Sequence, residues 1–241
     1  MSVATARAMP ERVEKLAGAS LAAELDAQGC AVLASLLGRD ECAAVGALYA
    51  CDDVFRSRVV MARHGFGRGE YKYFAYPLPD LVAALRSALY QHLAPIADRW
   101  SEALGSAVRY PPTHAEYLRR CHDAGQRRPT PLLLHYDAGD YNCLHQDLYG
   151  AQIFPIQVAI LLSDPQHDFT GGELVLTEQR PRMQSRVRVV ALRQGDAVAF
   201  AVQHRPVRGA RGFYRVNVRH GVSELRSGQR RTLGIIFHDA I

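Results

Sequence analysis

After Pro131 the chain becomes a succession of short β-rich runs separated by turn residues. The breaks between the runs contain Gly, Asp and Pro, as in Ser163-Asp164-Pro165 and Gln194-Gly195-Asp196. Many short strands at this spacing are typical of a sandwich or barrel and not of alternating β-α-β units. The pattern therefore predicts a double-sheet jelly roll over residues 131–241. The predicted strands are Leu132–Tyr136, Ile153–Leu162, Glu173–Leu176, Val187–Leu192, Ala197–Val202, Tyr214–Val218 and Thr232–Phe237.

The first 130 residues have helical patterning instead, with the apolar stretch Cys30–Leu37 between two helices and a polar connection over Arg109–Thr130. The predicted helices are Leu21–Gln28, Asp40–Ala50 and Leu81–Leu104. No Gly/Ser linker separates the two halves, and 241 residues suffice for a sizeable core. We expect an α+β protein that forms a single domain over residues 1–241. Its N-terminal helices, within residues 1–130, would pack outside a double-stranded β-helix (jelly-roll) core.

Basic charge is concentrated in one segment of the chain. Between Arg180 and Arg231 there are 13 Arg against two acidic residues, a net of +11. The whole chain carries only +5, so the rest of it is mildly acidic. Arg side chains that contact phosphates give salt-dependent binding to nucleic acid, which makes this segment a candidate surface. Arg residues on outward strand faces would be solvated without any ligand.

The cysteines and the N-terminal residues bear on the compartment. Five cysteines are scattered without a C-x-x-C pair, which favours reduced thiols over a disulfide framework or a cysteine zinc site. Residues 1–20 contain no apolar run typical of a signal peptide. The longest strongly apolar stretch, Val158–Leu162, is far shorter than the roughly 20 residues of a membrane helix. We therefore expect a soluble, cytoplasmic protein without a membrane partner.

Two His-x-Asp triplets, His135-Tyr136-Asp137 and His145-Gln146-Asp147, begin ten residues apart. Residues i and i+2 of a strand point to one face, so either triplet could offer an imidazole and a carboxylate to one ion. A third ligand must come from elsewhere, and His220 or His204 could supply it. Two His and one carboxylate suit non-haem Fe(II) enzymes that activate oxygen. The same donors could hold Zn(II) for hydrolysis.

An ordered set of motifs surrounds the second triplet. These are Tyr136-x-x-Gly139, His145-x-Asp147, Gly171-Gly172-Glu173-Leu174, Gly195-Asp196 with Phe200, His220 and Arg230-x-Thr232. In this order, over about Leu132 to Asp239, the chain resembles the Fe(II)/2-oxoglutarate-dependent dioxygenases, in particular their prolyl-hydroxylase-like branch. Stretches such as Phe154–Leu162 and Leu233–Ala240 are also similar to a bacterial oxygenase family loosely described as acting on alkylated DNA.

The resemblance implies an oxygenase that uses Fe(II), with 2-oxoglutarate and O2 as cosubstrates and ascorbate as a candidate reductant. It implies oxidative decarboxylation of 2-oxoglutarate to succinate and CO2, coupled to hydroxylation or N-demethylation of a substrate. An Arg suits the distal carboxylate of 2-oxoglutarate because a planar guanidinium binds a carboxylate through two parallel hydrogen bonds. The implied metal ligands are His145, Asp147 and His220, and the implied cosubstrate contacts are Arg230, Thr232 and Tyr136, all in one catalytic pocket within the jelly-roll core.

Several of these positions have alternatives. His135 lies in an apolar run and is expected to support the core, whereas His204, at a strand end, is the rival third ligand. Arg231 could replace Arg230, although the register with Thr232 on one strand face favours Arg230. The Gly-containing motifs are explained equally well as turns. His238-Asp239 is expected to complete the fold and not to act in catalysis.

The sequence leaves three classes of substrate: a nucleic acid, a peptide such as a prolyl substrate, and a small metabolite. The segment Gly65–Tyr76 interleaves aromatic and basic residues, so an extruded base could stack there. Alternating aromatics describe a half-buried edge strand equally well. Two other classes stay possible: a zinc hydrolase, for which a carboxylate-binding Arg has no use, and a jelly-roll binding module without catalysis.

Overall fold

The computed structural model describes residues 3–165 and 167–241. The helices in this part of the chain are α1 (Val3–Ala17), α2 (Ala19–Gln28), α3 (Arg39–Ala47), α4 (Asp80–Ala103) and α5 (His114–Asp123), and short 3-10 turns span Leu48–Ala50, Asp52–Val54 and Met61–Arg63. The strands are β1 (Cys30–Leu33), β2 (Phe55–Val60), β3 (Gly67–Arg68), β4 (Glu70–Phe74), β5 (Leu132–Asp137), β6 (Tyr141–His145), β7 (Ile156–Leu161), β8 (Phe169–Gly171), β9 (Leu174–Gln179), β10 (Arg186–Val190), β11 (Ala197–Ala201), β12 (His204–Gly209), β13 (Gly212–Val222) and β14 (Leu225–Ile235).

The strands form two antiparallel sheets. The 8-stranded sheet has the order β1-β11-β7-β14-β5-β4-β2, with β8 paired to the first part of β14. The 6-stranded sheet has the order β10-β9-β13-β6-β3, with β12 paired to β13. Helices together with two antiparallel sheets confirm the predicted α+β class. The predicted strands after Pro131 are present, with β6, β8 and β12 added between them.

The N-terminal part of the chain contributes more to the sheets than its helical pattern indicates. Strand β1 pairs with β11, and β4 lies between β5 and β2. The aromatic segment thus forms an interior strand of the large sheet, and β2 is the edge. Residues 72–74 of β4 are all buried, because the sheet neighbours of this strand are distant in sequence, which a local pattern does not reveal.

The prediction of a polar connection over Arg109–Thr130 is wrong, because α5 lies inside it. Thr113 caps this helix: its hydroxyl accepts from the Glu116 backbone N–H, and the Glu116 carboxylate accepts from the Thr113 N–H. This reciprocal pair is a capping box, which satisfies two backbone donors at the helix start. His114, Tyr117 and Cys121 form the buried face. The segment is polar in composition, but these three residues are spaced three and four apart and therefore lie on one side of the helix.

The helix α4 and the turn Gly195-Asp196 behave as their sequences predict. The predicted helix Leu81–Leu104 is present as α4, and α1 packs along it; buried on α4 are Leu81, Leu85, Leu89, Leu93 and Ile96. Gly195 has φ +83°, and a Cβ there would lie 2.0 Å from the carbonyl oxygen of Leu37, so only glycine fits. The Asp196 carboxylate accepts from the backbone N–H groups of Ser35 and Arg193.

Within the described residues, none of the helices has both the length and the apolar composition needed to cross a bilayer.

A buried ion pair joins α4 to the end of the chain. Arg86 and Asp239 are 1% and 0% exposed, and their side chains lie 2.8 Å apart. Tyr76 donates its hydroxyl to the same carboxylate at 2.9 Å, and His122 Nε2 lies 2.9 Å from it. Burial alone would raise the pKa of Asp239, but Arg86 and the hydrogen bonds outweigh burial and lower it. These contacts agree with the prediction that His238-Asp239 completes the fold.

Replacing Asp239 by Ala is expected to destabilise the protein by about 3–5 kcal/mol, because Arg86 would remain buried without its partner. Urea unfolding followed by circular dichroism measures this as a lower midpoint at unchanged slope. The matched control is Arg119→Ala, which breaks the exposed pair with Glu116 at 3.8 Å and should leave the midpoint unchanged. Equal midpoints for Asp239→Ala and the wild type would contradict the structural role of this pair.

Candidate metal centre and carboxylate pocket

Strand pairing brings two histidines together in the 6-stranded sheet. His220 on β13 lies directly opposite His145 on β6, and the two ring centroids are 4.1 Å apart. Asp147 follows β6, with Oδ2 3.3 Å from His220 Nε2 and Oδ1 3.7 Å from His145 Nε2. One ligand atom from each residue lies within 4.8 Å of those of the other two. A three-residue set of nitrogen and oxygen donors therefore faces a single point.

The surroundings of His145 and Asp147 favour the protonation states in which these side chains bind metals. His145 Nδ1 lies 2.8 Å from the Cys143 carbonyl oxygen, so Nδ1 carries the proton and Nε2 has a free lone pair. Burial, with a smaller contribution from His220, lowers the pKa of His145. Burial would raise the pKa of Asp147, but His220, His145 and the Tyr149 hydroxyl outweigh it and hold that pKa far below its usual range. Asp147 is therefore a carboxylate, and the His145 imidazole presents Nε2 to the cluster.

The donor set fits a divalent metal ion. A carboxylate and two imidazoles on one side of an ion leave its remaining positions open, as in non-haem Fe(II) oxygenases. Phe200 packs against the His220 ring at 4.9 Å between centroids, and His220 is itself buried. His220 Nε2 lies 3.3 Å from Asp147 Oδ2, so Nε2 is the ring nitrogen directed at the ligand cluster.

A buried cation lies on the opposite sheet. Arg230 on β14 is 3% exposed and pairs in register with Tyr136 on β5. Its Nη1 donates to the Thr232 hydroxyl at 2.7 Å, and its guanidinium carbon lies 5.6 Å from the Tyr136 ring centre. Among the described residues, no Asp or Glu oxygen lies within 4.0 Å of the guanidinium nitrogens, and Nε is unpaired. A buried charge without a partner is unfavourable, so this position suits an anionic ligand.

The two groups share one cavity of about 310 Å³. The residues predicted for the metal and for the cosubstrate that line it are Tyr136, His145, Asp147, His220, Arg230 and Thr232. The walls are mainly apolar, with contributions from Tyr71, Leu134 and Val158. At the rim Phe66 is 48% exposed, and its ring stacks on His64 with centroids 5.3 Å apart.

The alternative residues lie elsewhere. His135 stacks on Tyr49 and receives a hydrogen bond from Arg231 Nε at 3.3 Å, on the face of the large sheet away from the cavity. Strand alternation therefore separates Arg231 from Arg230. His204 lines a different cavity, beside Trp100.

Sequence reasoning missed Gln157 and Tyr149, two cavity residues that contact the candidate metal ligands. Gln157 on β7 is buried, and its Nε2 lies 3.0 Å from His220 Nε2. The sequence does mark Gln157, because it is a polar residue inside the apolar run Ile156–Leu161. The Tyr149 hydroxyl lies 2.5 Å from Asp147 Oδ1. No pattern in the sequence marks Tyr149, because the segment that carries it is irregular.

Comparison with known proteins was made on sequence and on structure. Residues 69–240 match the family Oxygenase-NA, described as "Oxygenase, catalysing oxidative methylation of damaged DNA". An uncharacterised protein of Mycobacterium tuberculosis is 50% identical over 167 residues, which cover 69% of this chain and 72% of that protein. The family match covers more than half of the chain.

Solved structures with the same fold include an oxidoreductase of the 2OG-Fe(II) oxygenase family from Burkholderia pseudomallei. It has a TM-score of 0.54 and 17% identity, and the match covers 92% of each chain. A Trichoplax adhaerens prolyl hydroxylase, in complex with a peptide fragment of hypoxia inducible factor, has a TM-score of 0.54 and 14% identity over 99% of this chain and 94% of that one. These similarities confirm the predicted jelly-roll fold and the resemblance inferred from the order of the motifs. The chain belongs to the Oxygenase-NA family and is an oxygenase.

Proposed function

We propose that this protein is a non-haem Fe(II)- and 2-oxoglutarate-dependent dioxygenase. In this proposal His145, Asp147 and His220 bind the metal. The distal carboxylate of 2-oxoglutarate is held by Arg230, Thr232 and Tyr136. The observation that carries the proposal is a buried Arg230, without a carboxylate partner in the part of the chain that the structure describes, in the cavity that also contains a His-Asp-His cluster.

Fe(II) with bound 2-oxoglutarate would supply oxygen activation, in which the cosubstrate becomes succinate and CO2 and one oxygen atom enters the substrate. The protein supplies binding, orientation and exclusion of water. The Cys143 carbonyl holds the His145 ring through Nδ1, so that Nε2 would be free to bind the ion. The Thr232 hydroxyl fixes one nitrogen of Arg230, which presents the guanidinium towards an incoming carboxylate.

The alternatives from other classes have less support. A zinc hydrolase needs an open water position but no buried cation for a dicarboxylate. A binding module without catalysis would not explain membership of an oxygenase family.

The proposal extends to the organisation of the chain. Because β1, β2 and β4 are strands of the same sheet as β5 and β14, we propose that residues 1–241 act as a single domain. A cytoplasmic location stays a prediction.

For the substrate we propose a damaged base in nucleic acid. The description of the family supports this choice, and so does the exposed Phe66–His64 stack at the rim, where a planar base could stack in turn. Oxidation of an N-methyl group on such a base would give an unstable hydroxymethyl group, which is released as formaldehyde. The basic segment supports the choice less strongly, since Arg219 neighbours His220 on β13 and points to the opposite face of the sheet.

The cosubstrate role is tested by Arg230→Met with Arg231→Met as the matched control. Hydrogen bonds to a charged group contribute about 1.5–3 kcal/mol, so Arg230→Met should raise the Kd of 2-oxoglutarate about 10- to 100-fold. Removing an unpaired buried charge should leave stability without ligand unchanged or higher. Isothermal titration of the anaerobic Fe(II)-loaded protein measures the Kd. If Arg231→Met weakened 2-oxoglutarate binding and Arg230→Met did not, the carboxylate-binding role would belong to Arg231.

Substrate choice is tested by succinate formation in the presence of different candidates. Single-stranded DNA with N-methylated bases should stimulate turnover above the level with unmodified DNA, and formaldehyde should appear in equal amount to the extra succinate. Proline-containing peptides and free amino acids serve as comparison substrates. Stimulation by a peptide and not by methylated DNA would contradict the nucleic-acid proposal while leaving the cosubstrate chemistry intact.

A further inference from the structure

A chain of two tyrosine hydroxyls ends on the carboxylate of Asp147. The hydroxyl of Tyr149 lies 2.5 Å from Asp147 Oδ1. An ionised carboxylate only accepts hydrogen bonds, so Tyr149 is the donor. The hydroxyl of Tyr73 lies 3.0 Å from that of Tyr149. Because the Tyr149 proton is already directed at Asp147, Tyr73 must donate to Tyr149, and the direction of the whole chain is fixed.

The outer tyrosine of this chain comes from the aromatic segment of the N-terminal half. Tyr73 lies on β4 and is buried, with its ring edge-on to that of Tyr149 at 89°. Tyr71 packs against the Tyr73 ring, with the ring centroids 5.3 Å apart. The guanidinium carbon of Arg56 lies 4.4 Å from the centre of the Tyr73 ring. These contacts restrict the Tyr73 ring to one orientation. Tyr73 of the aromatic segment thus carries a hydroxyl that leads to the metal centre, and Tyr71 of the same strand and Arg56 of the neighbouring strand β2 hold its ring.

The consequence at Asp147 is a distinction between its two oxygens. Oδ1 accepts from Tyr149 and lies 3.7 Å from His145 Nε2, whereas Oδ2 has no contact with Tyr149 among the described hydrogen bonds and lies nearer to a ligand nitrogen, 3.3 Å from His220 Nε2. A hydrogen bond to one oxygen restricts rotation of the carboxylate and leaves the other oxygen directed at the ion position. Partners that orient ligands in this way typically change metal affinity by 10- to 100-fold.

We propose that Tyr149, held by Tyr73, is a positioning residue that orients Asp147 and strengthens metal binding. This inference rests on the proposed function, since it takes Asp147 as a metal ligand. Tyr73 acts only through Tyr149, so its effect requires the Tyr149 hydroxyl.

Metal affinity of the full chain, without 2-oxoglutarate or substrate, tests the proposal. Co(II), which is stable in air, is titrated in by calorimetry, and anaerobic Fe(II) titration repeats the measurement. Tyr149→Phe should bind Co(II) about 10- to 100-fold more weakly than the wild type. Tyr73→Phe should weaken binding by less, and adding it to Tyr149→Phe should cause no further loss.

The control is Tyr90→Phe, which removes a tyrosine hydroxyl that donates to the Pro111 carbonyl at 2.9 Å, away from the cavity. It should bind Co(II) like the wild type even if it lowers thermal stability. A merely structural role for Tyr149 predicts the same unchanged affinity in Tyr149→Phe, and that result would overturn the inference. If Tyr149→Phe does not fold, Tyr73→Phe decides alone, and wild-type affinity in that variant counts against the proposal.

The same titration separates this inference from the proposed function. His145→Ala should abolish Co(II) binding. Binding by the wild type, its loss in His145→Ala and wild-type affinity in Tyr149→Phe would refute only the role of the tyrosines. A wild-type protein that binds neither Co(II) nor Fe(II) would refute both.

Discussion

The pairing of β13 with β6 is the constraint on which the site depends. It places His220 directly opposite His145, and β13 is held on its other side by β9. A slip of one residue would turn His220 to the outer face, because side chains alternate along a strand. Gly221 permits the close approach, since a Cβ there would lie 2.6 Å from the carbonyl oxygen of Asn142. Because β13 has a strand partner on each side, the register of His220 is fixed by two sets of pairings.

The opposite sheet applies the same principle to the carboxylate pocket. Arg230 and Tyr136 are cross-strand partners on β14 and β5, and Thr232 lies two residues beyond Arg230. All three face the cavity, while Arg231 and His135 form their own pair on the other face. Alternation within one pair of strands thus separates a residue that could bind a ligand from a structural one. The candidate metal ligands and Arg230 meet because each sheet contributes one face to the same cavity.

Much of this arrangement could be predicted from the sequence, because period-two patterning and turn residues are local. The order of motifs favours His145 over His135, and the register with Thr232 favours Arg230 over Arg231; the structure places the two favoured residues at the cavity, while their roles stay predictions. The helix α5 was missed because its short apolar face lies within a polar segment. The interior position of β4 and the contact of Tyr149 with Asp147 depend on residues distant in sequence, which no local pattern contains.

The basic segment changes meaning in the folded protein. Arg205 is buried and forms an ion pair with Glu178, Arg231 interacts with His135, and Arg230 faces the cavity. Others, such as Arg208 and Arg219, are exposed on strands. The positive charge is therefore divided among the core, the pocket and the surface. Closeness in sequence does not place these Arg residues on one continuous binding surface.

The central claim is that one cavity holds Fe(II) through His145, Asp147 and His220 and 2-oxoglutarate through Arg230. Anaerobic visible absorption tests it most directly, because a weak charge-transfer band requires both groups bound to each other. The account predicts a band only when Fe(II) and 2-oxoglutarate are both present, retained in His135→Ala and absent from His145→Ala. A wild-type protein without the band, or a band that His145→Ala retains and His135→Ala loses, would contradict the account.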